Sequence, residues 1–162
     1  MKILSRSVLL CVLLAATAGC DRVTKHLAMT NLAGMPEQSF LADTIRPDYH
    51  ENPGGFLSTG ATWRPEIRAI VFQFSNALFL VATGFLAMRY RWSRWAKAGL
   101  IMFLAGGISN LIDRIAMGRV IDFLNVGIGP FRTGIFNVAD VAIIAGIGLL
   151  LVEYFRRPGA TV

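Results

Sequence analysis

Two aspartates stand where an apolar chain has little reason to spend charge. Asp122 lies in Arg119-Val-Ile-Asp-Phe-Leu-Asn125. Asp140 closes Phe136-Asn-Val-Ala-Asp140 at the mouth of the apolar run Val141–Val152. A carboxylate at the edge of a membrane span costs free energy, so it is usually paired or put to use. Two at one membrane level suggest carboxyls that share a proton, the chemistry of aspartic proteases. The plainer reading of Asp140 is a helix start, with Asn137 as the cap and an acid in the first turn. Capping and catalysis both account for Asp140. Capping does not account for Asp122, nor for Asn52 and Asn110 falling at the same outer boundary.

The elements that must hold these residues follow from composition. Of 162 residues, 54% are hydrophobic and only 16% charged, where a soluble domain carries about a quarter. The apolar excess falls in blocks, and a span needs roughly 20 residues. Four transmembrane helices are expected, over about 7–29, 67–88, 95–113 and 136–155, in a single domain covering 1–162. Outer loops take about 30–66 and 114–135. Helices are the default because backbone groups inside lipid must be satisfied internally.

The net charge of +6 is segregated. Lys2 and Arg6 precede the first block, Arg89, Arg91, Arg94 and Lys97 separate the second and third, and Arg156 and Arg157 follow the fourth. The remaining loops mix both signs. This pattern puts both termini in the cytoplasm and the two aspartates near the outer face. It makes the basicity a topology signal and argues against a nucleic-acid partner.

Other features carry less. Val8–Cys20 after a basic start has the outline of a lipoprotein signal ending at Cys20. Retention of this segment is favoured, because Thr17 fits such a signal poorly and the rest of the chain is already polytopic. Retention also places Asp21 and Lys25 four apart on one helix face, acid first, as a favourable pair. Cys11 and Cys20 fall on opposite faces of that helix. His26 and His50 have no metal-ligand spacing. Pro and Gly break 31–65 repeatedly, and this loop is expected to hold short strands. Val120–Val126 has strand composition, with Gly127, Gly129 and Pro130 forcing a turn. Gly99, Phe103, Gly106, Asn110 and Asp113 form one stripe on the third span, a packing face with a polar end. Asp113 is expected to be structural, as an ion pair with Arg114. A Ser58–Lys25 catalytic pair is conceivable but has no supporting motif, and Ser109 lacks the Gly-x-Ser-x-Gly setting.

Five segments together resemble the bacterial signal peptidase II family. They are Asp21-Arg-Val-Thr-Lys25, Asn52-Pro-Gly54, Ser109-Asn-Leu-Ile-Asp-Arg114, Val120-Ile-Asp-Phe123 and Phe136-Asn-Val-Ala-Asp140. The resemblance spans nearly the whole chain. It implies an all-α membrane protein, a four-transmembrane-helix bundle with a small extracytoplasmic β-cradle. It implies an aspartyl endopeptidase that cuts lipid-modified prolipoproteins before the diacylglyceryl cysteine. Asp122 and Asp140 match the family's dyad. Asn52, Gly54, Asn110, Arg114, Asn137, Asp21, Lys25 and Ala139 match its supporting polar shell. No cofactor or metal is expected, the partners are prolipoproteins and membrane lipid, and the enzyme is expected to be a monomer of the bacterial inner membrane.

The sequence departs from the family pattern at three places. Asn-x-Gly-Ala-Ala-Phe-Ser becomes Asn52-Pro-Gly-Gly-Phe-Leu-Ser58, the Gly before Asn110 becomes Ser109, and a Pro is missing from Arg132-Thr-Gly-Ile135. These changes bear on the cleft and on which lipoproteins fit. They also motivate an alternative, a non-catalytic relative that binds lipidated segments or scaffolds partners. A proton-relay transporter is a weaker third reading, because the second and third spans carry no central acids.

Overall fold

The computed structural model describes residues 2–156; Arg157 and the residues after it lie outside the described residues, as do the side chains of residues 2–11, including Lys2, Arg6 and Cys11, and that of Phe56. Helix α1 runs from Lys2 to Asn31 without a break. Asp21 and Lys25 therefore sit on regular helix and form the expected i,i+4 ion pair at 2.7 Å. Strand β1 (Ile45–Asn52) supplies the first edge of a small sheet. Helix α2 (Pro65–Arg89) starts on a proline, whose missing N–H suits the first helical turn. It carries a π-helical stretch over Ala69–Phe74. Helix α3 (Arg94–Met117) is capped by Ser93, whose hydroxyl accepts the Ala96 N–H at 3.2 Å. It ends where Gly118 turns left-handed at φ 71°. Helix α4 (Val138–Arg156) is the last element among the described residues.

Three of these helices, α2, α3 and α4, are long and apolar enough to cross a membrane. The third expected span runs a turn further than its charge-free block indicates, to Met117, because Asp113 and Arg114 are accommodated inside the protein. The outer loops carry the expected sheet. Strand β2 (Val120–Ile128) pairs antiparallel with β1 and then, across the Gly129-Pro130 turn, with β3 (Phe131–Arg132). The β1–β2 register sets His50 opposite Asp122 and Asn52 opposite Val120, with an irregularity between Pro47 and His50. Leu124 bridges to Phe136, which ties the sheet to the start of α4.

The closest helix contact is α3 on α4, antiparallel, and glycine makes it possible. A Cβ at Gly99 would lie 2.7 Å from the Gly146 carbonyl oxygen, and one at Gly146 would lie 2.6 Å from that of Gly99. A turn and more further on, Gly106 abuts the Ala139 carbonyl and Ile143. The stripe expected on the third span is thus a packing face against α4, as small residues at a membrane-helix interface allow. This close approach brings Asn110 and the N-terminus of α4 together.

Candidate active site

Asp122 comes from β2 and Asp140 from the first turn of α4, and Asn137 joins them. The Asn137 side-chain amide donates to Asp122 Oδ1 at 2.6 Å. Its backbone N–H donates to Asp140 Oδ2 at 3.2 Å, and its side-chain oxygen accepts the Asp140 N–H at 3.0 Å. Those last two bonds are a reciprocal capping box with Asn at the cap and Asp at the third position. Capping and participation in the site are therefore not alternatives for Asp140. The same box that starts the helix fixes the carboxylate's orientation, and the helix dipole favours its charge there.

The remaining donors to the carboxylates are asparagines. Asn52 Nδ2 reaches Asp122 Oδ2 at 3.1 Å and the Gly55 carbonyl at 3.0 Å, while its oxygen accepts the Gly54 N–H at 2.9 Å. Asn110 Nδ2 donates to Asp140 Oδ1 at 2.9 Å. Asp122 is 3% exposed. Burial pushes its carboxyl up from the usual 3.8 to about 6; Asp140 pushes the same way, and the amides of Asn52 and Asn137 oppose both.

Behind this layer lies a second, charged one. Lys25 is buried, and its ammonium meets Asp21 Oδ2 at 2.7 Å, Asp113 Oδ2 at 2.7 Å and Asn110 Oδ1 at 2.8 Å. Three partners exhaust the three donors of a lysine. Asp21 in turn accepts the Ala139 N–H at 2.8 Å and the Ser109 hydroxyl at 2.6 Å. A residue of α1 thus caps α4. The expected Asp113–Arg114 pair does not form. Neighbours on a helix point in different directions, and Asp113 faces α1, where Lys25 and Arg22 (2.6 Å) bind its two oxygens. The same commitment of Lys25 leaves no ammonium donor for a Ser58–Lys25 catalytic pair.

Arg114 turns the other way. Its guanidinium donates to the Gly54 carbonyl at 3.0 Å and to the Asn110 carbonyl at 3.3 Å, while its buried Nε has no partner among the described residues. It holds the 53–62 loop over the site. That loop is tightly folded: a Cβ at Gly54 would lie 2.9 Å from both the Ser58 oxygen and the Ala61 nitrogen. Leu57 is held left-handed at φ 54°, ψ 38°, a strained conformation for a γ-branched residue. Its side chain rests on Gly134, where a Cβ would collide with it. Two of the three departures from the family pattern therefore meet in space.

All of the anticipated residues, Asp122, Asp140, Asn52, Gly54, Asn110, Arg114, Asn137, Asp21, Lys25 and Ala139, fall into this one connected cluster. Sequence reasoning missed Arg22 and Ser109. Arg22 reads as one loop charge among many, although its spacing of three from Lys25 on the same helix would have pointed it toward Asp113. Asp122 and Asp140 line an open, mainly apolar cavity of about 660 Å³ between α2, α3 and α4, whose walls include Phe72, Phe79, Phe103 and Ile143. Paired carboxyls on the wall of an apolar cleft, with neutral amides for neighbours, are equipped for acid–base hydrolysis of a membrane-embedded chain.

Comparison with known proteins agrees. The family model described as signal peptidase (SPase) II matches residues 13–156. This chain belongs to the signal peptidase II family. A lipoprotein signal peptidase of Leifsonia xyli is 34% identical over 161 residues, covering 91% of this chain and 69% of the relative. One from Desulforapulum autotrophicum is 33% identical, covering 85% and 86%. Two solved structures, each a bacterial membrane enzyme determined by the in meso method, share the fold. One superposes with a TM-score of 0.81 at 19% identity over 94% of this chain and 91% of its own. The other gives 0.79 at 20% identity over 94% of each. The chain is an aspartic peptidase of the signal peptidase II type, and its curated relatives are named lipoprotein signal peptidases.

Proposed function

We propose that Asp122 and Asp140 form the catalytic dyad of this peptidase and that it cleaves diacylglyceryl-modified prolipoproteins immediately before the lipidated cysteine. The observation that carries this reading is Asn137 bridging the two carboxyls on the wall of an apolar cavity. Two adjacent anions repel, so the pair holds one proton between them and titrates as a unit. The ionised member takes a proton from water, whose oxygen attacks the scissile carbonyl carbon. The protonated member donates to the carbonyl oxygen. Collapse of the resulting diol breaks the C–N bond; the proton gained from water passes to the leaving nitrogen, and one diol hydroxyl returns its proton to the carboxylate that had donated, which restores the shared proton.

The surrounding side chains have separate duties in this scheme. The amides of Asn52, Asn110 and Asn137 are occupied in orienting the carboxyls. Arg114 lines the cleft beside both carboxyls and is the group suited to hold a substrate carbonyl or the developing oxyanion. Lys25 and Asp21 act from behind, through Asn110 and Ala139. In this reading α1 is a fourth span, both termini are cytoplasmic, the dyad sits near the outer face of the inner membrane, and the working unit is a monomer.

The altered 53–58 segment that motivates a non-catalytic relative leaves the dyad and each of its amide donors in place. The test replaces Asp122 or Asp140 with Asn, verifies membrane insertion, and follows prolipoprotein processing by gel shift. Abolished cleavage is the expected outcome; processing at the wild-type rate by either variant sinks the dyad.

A further inference from the structure

Asp140 borders two cavities, not one. Beside the main cleft lies a second of about 350 Å³, lined by Leu57, Thr133, Gly134, Val141, Ile144 and Ala145 among others. Leu57, Ile135, Phe136, Asp140 and Ile144 line both spaces, so they form the wall between them. Within that wall Leu57 is the residue contributed by the loop. It comes from the strained 53–62 loop and is seated in the notch that the missing Cβ of Gly134 leaves open.

The second cavity differs from the first in where it leads. Its far side is the outward face of α4, where Val141 is 50% exposed. On a helix apolar enough to span a membrane, that face looks into lipid. The space therefore runs from the dyad to the bilayer and, apart from Thr133 and Asp140, is lined by apolar residues and Gly134. The scissile bond assigned above ends on the nitrogen of the cysteine whose thioether carries the two acyl chains, so those chains must pass close to the dyad.

We infer that this second cavity is an acyl-chain subsite of the prolipoprotein, with Leu57 on Gly134 as the partition that keeps the acyl chain apart from the signal peptide in the main cleft. The inference rests on the peptidase reading. It makes Leu57, Gly134 and Ala145 determinants of lipid selectivity, without a part in the chemistry itself.

Ala145 lines the subsite and not the main cleft, so Ala145→Phe fills the subsite. The purified enzyme is assayed in detergent against one synthetic prolipopeptide carrying either dihexanoyl or dipalmitoyl glyceryl cysteine. Wild type is expected to favour the long-chain substrate. Ala145→Phe is expected to lower kcat/KM for the dipalmitoyl substrate by about tenfold or more, the equivalent of two methylenes expelled from an apolar site. It should leave the dihexanoyl substrate within about twofold, within the roughly 0.5 kcal/mol expected of a change remote from the group it does not touch. Leu57→Ala, which keeps the Cβ and the backbone strain but removes the partition, should flatten the dependence on chain length. Ala145→Leu, a smaller step, stands in if the Phe variant is not monodisperse.

Equal losses on both substrates overturn the inference while leaving the peptidase reading intact. A dependence that instead follows the peptide side chain before the cysteine, at constant acyl length, also overturns it and assigns the cavity to the peptide. Failure of wild type to cleave either substrate defeats the function itself.

Discussion

The two flanks of the proposed dyad, Asp122 and Asp140, are built on opposite principles. On the helix side, Lys25, Asp21, Asp113, Ser109 and Arg22 form a buried knot in which the Lys25 ammonium and both Asp113 oxygens are engaged. On the loop side, residues 53–62 hang from Asn52 and Arg114 and include a left-handed, exposed Leu57. The knot is over-determined and has one arrangement. The loop stores strain and depends on close backbone packing at Gly54 and Gly134. The contrast separates two demands on a membrane peptidase. Proton chemistry needs carboxyls fixed to a fraction of an ångström, whereas recognition of lipidated chains needs a wall that different sequences can reshape.

The largest effect should come from the dyad that both flanks serve: Asp122→Asn and Asp140→Asn each lose on the order of a thousandfold or more in processing, with helical content unchanged by circular dichroism. Next is the knot. Lys25→Met leaves Asp21 buried without its cation and Asp113 with Arg22 alone, and should cost about 3–5 kcal/mol, read as a fall in detergent-solubilised thermal stability. A Lys25→Met protein as stable as wild type would abolish the distinction between the flanks.

On the loop side, Asn52→Ala removes an oriented amide and should reduce kcat/KM roughly 5- to 150-fold, the worth of about 1–3 kcal/mol, with little change in melting temperature. The same variant has a signature in pH. Burial raises the Asp122 carboxyl to about 6, so it keeps a proton until pH rises past that value, and the shared proton is then lost. Wild-type activity should fall on the alkaline side of an apparent pKa near 6. The Asn52 amide favours the ionised form, so removing it should move that limb to higher pH. A limb that moves down instead would show that Asn52 acts otherwise. Smallest of all, Leu57→Gly relieves a left-handed side chain worth about 1–2 kcal/mol and adds about 0.5–1 kcal/mol of chain entropy. The net expectation is unchanged or slightly raised stability by thermal melt.

Legibility in the sequence followed the same division. Helix-borne features were readable because their periodicity is local: the Gly99–Asp113 stripe, the Asp21–Lys25 spacing and the Asn137–Asp140 cap all recur at three or four residues. The pairing of Asp113 was misread because adjacency along the chain stood in for adjacency in space. The β1–β2 pairing that sets Asn52 beside Asp122 has no local signal, since register depends on turn geometry and on an irregularity at Pro47–His50. The seating of Leu57 on Gly134 was beyond reach, because it needs a left-handed leucine that no propensity favours. The motifs identified which residues gather; they carried nothing about the second cavity.

The bond from the Ala139 N–H to Asp21 also has a temporal meaning. Asp21 is synthesised 118 residues before Ala139, and a chain is made from its N-terminus. Until α4 joins, Asp21 lacks one of its partners, Asp140 does not exist, and Asn110 has no carboxylate to orient. The proposed site is thus completed only when α4 is made, and a nascent chain that stops short of α4 holds one aspartate of the pair without the other. Synthesis of that helix is the step that arms it.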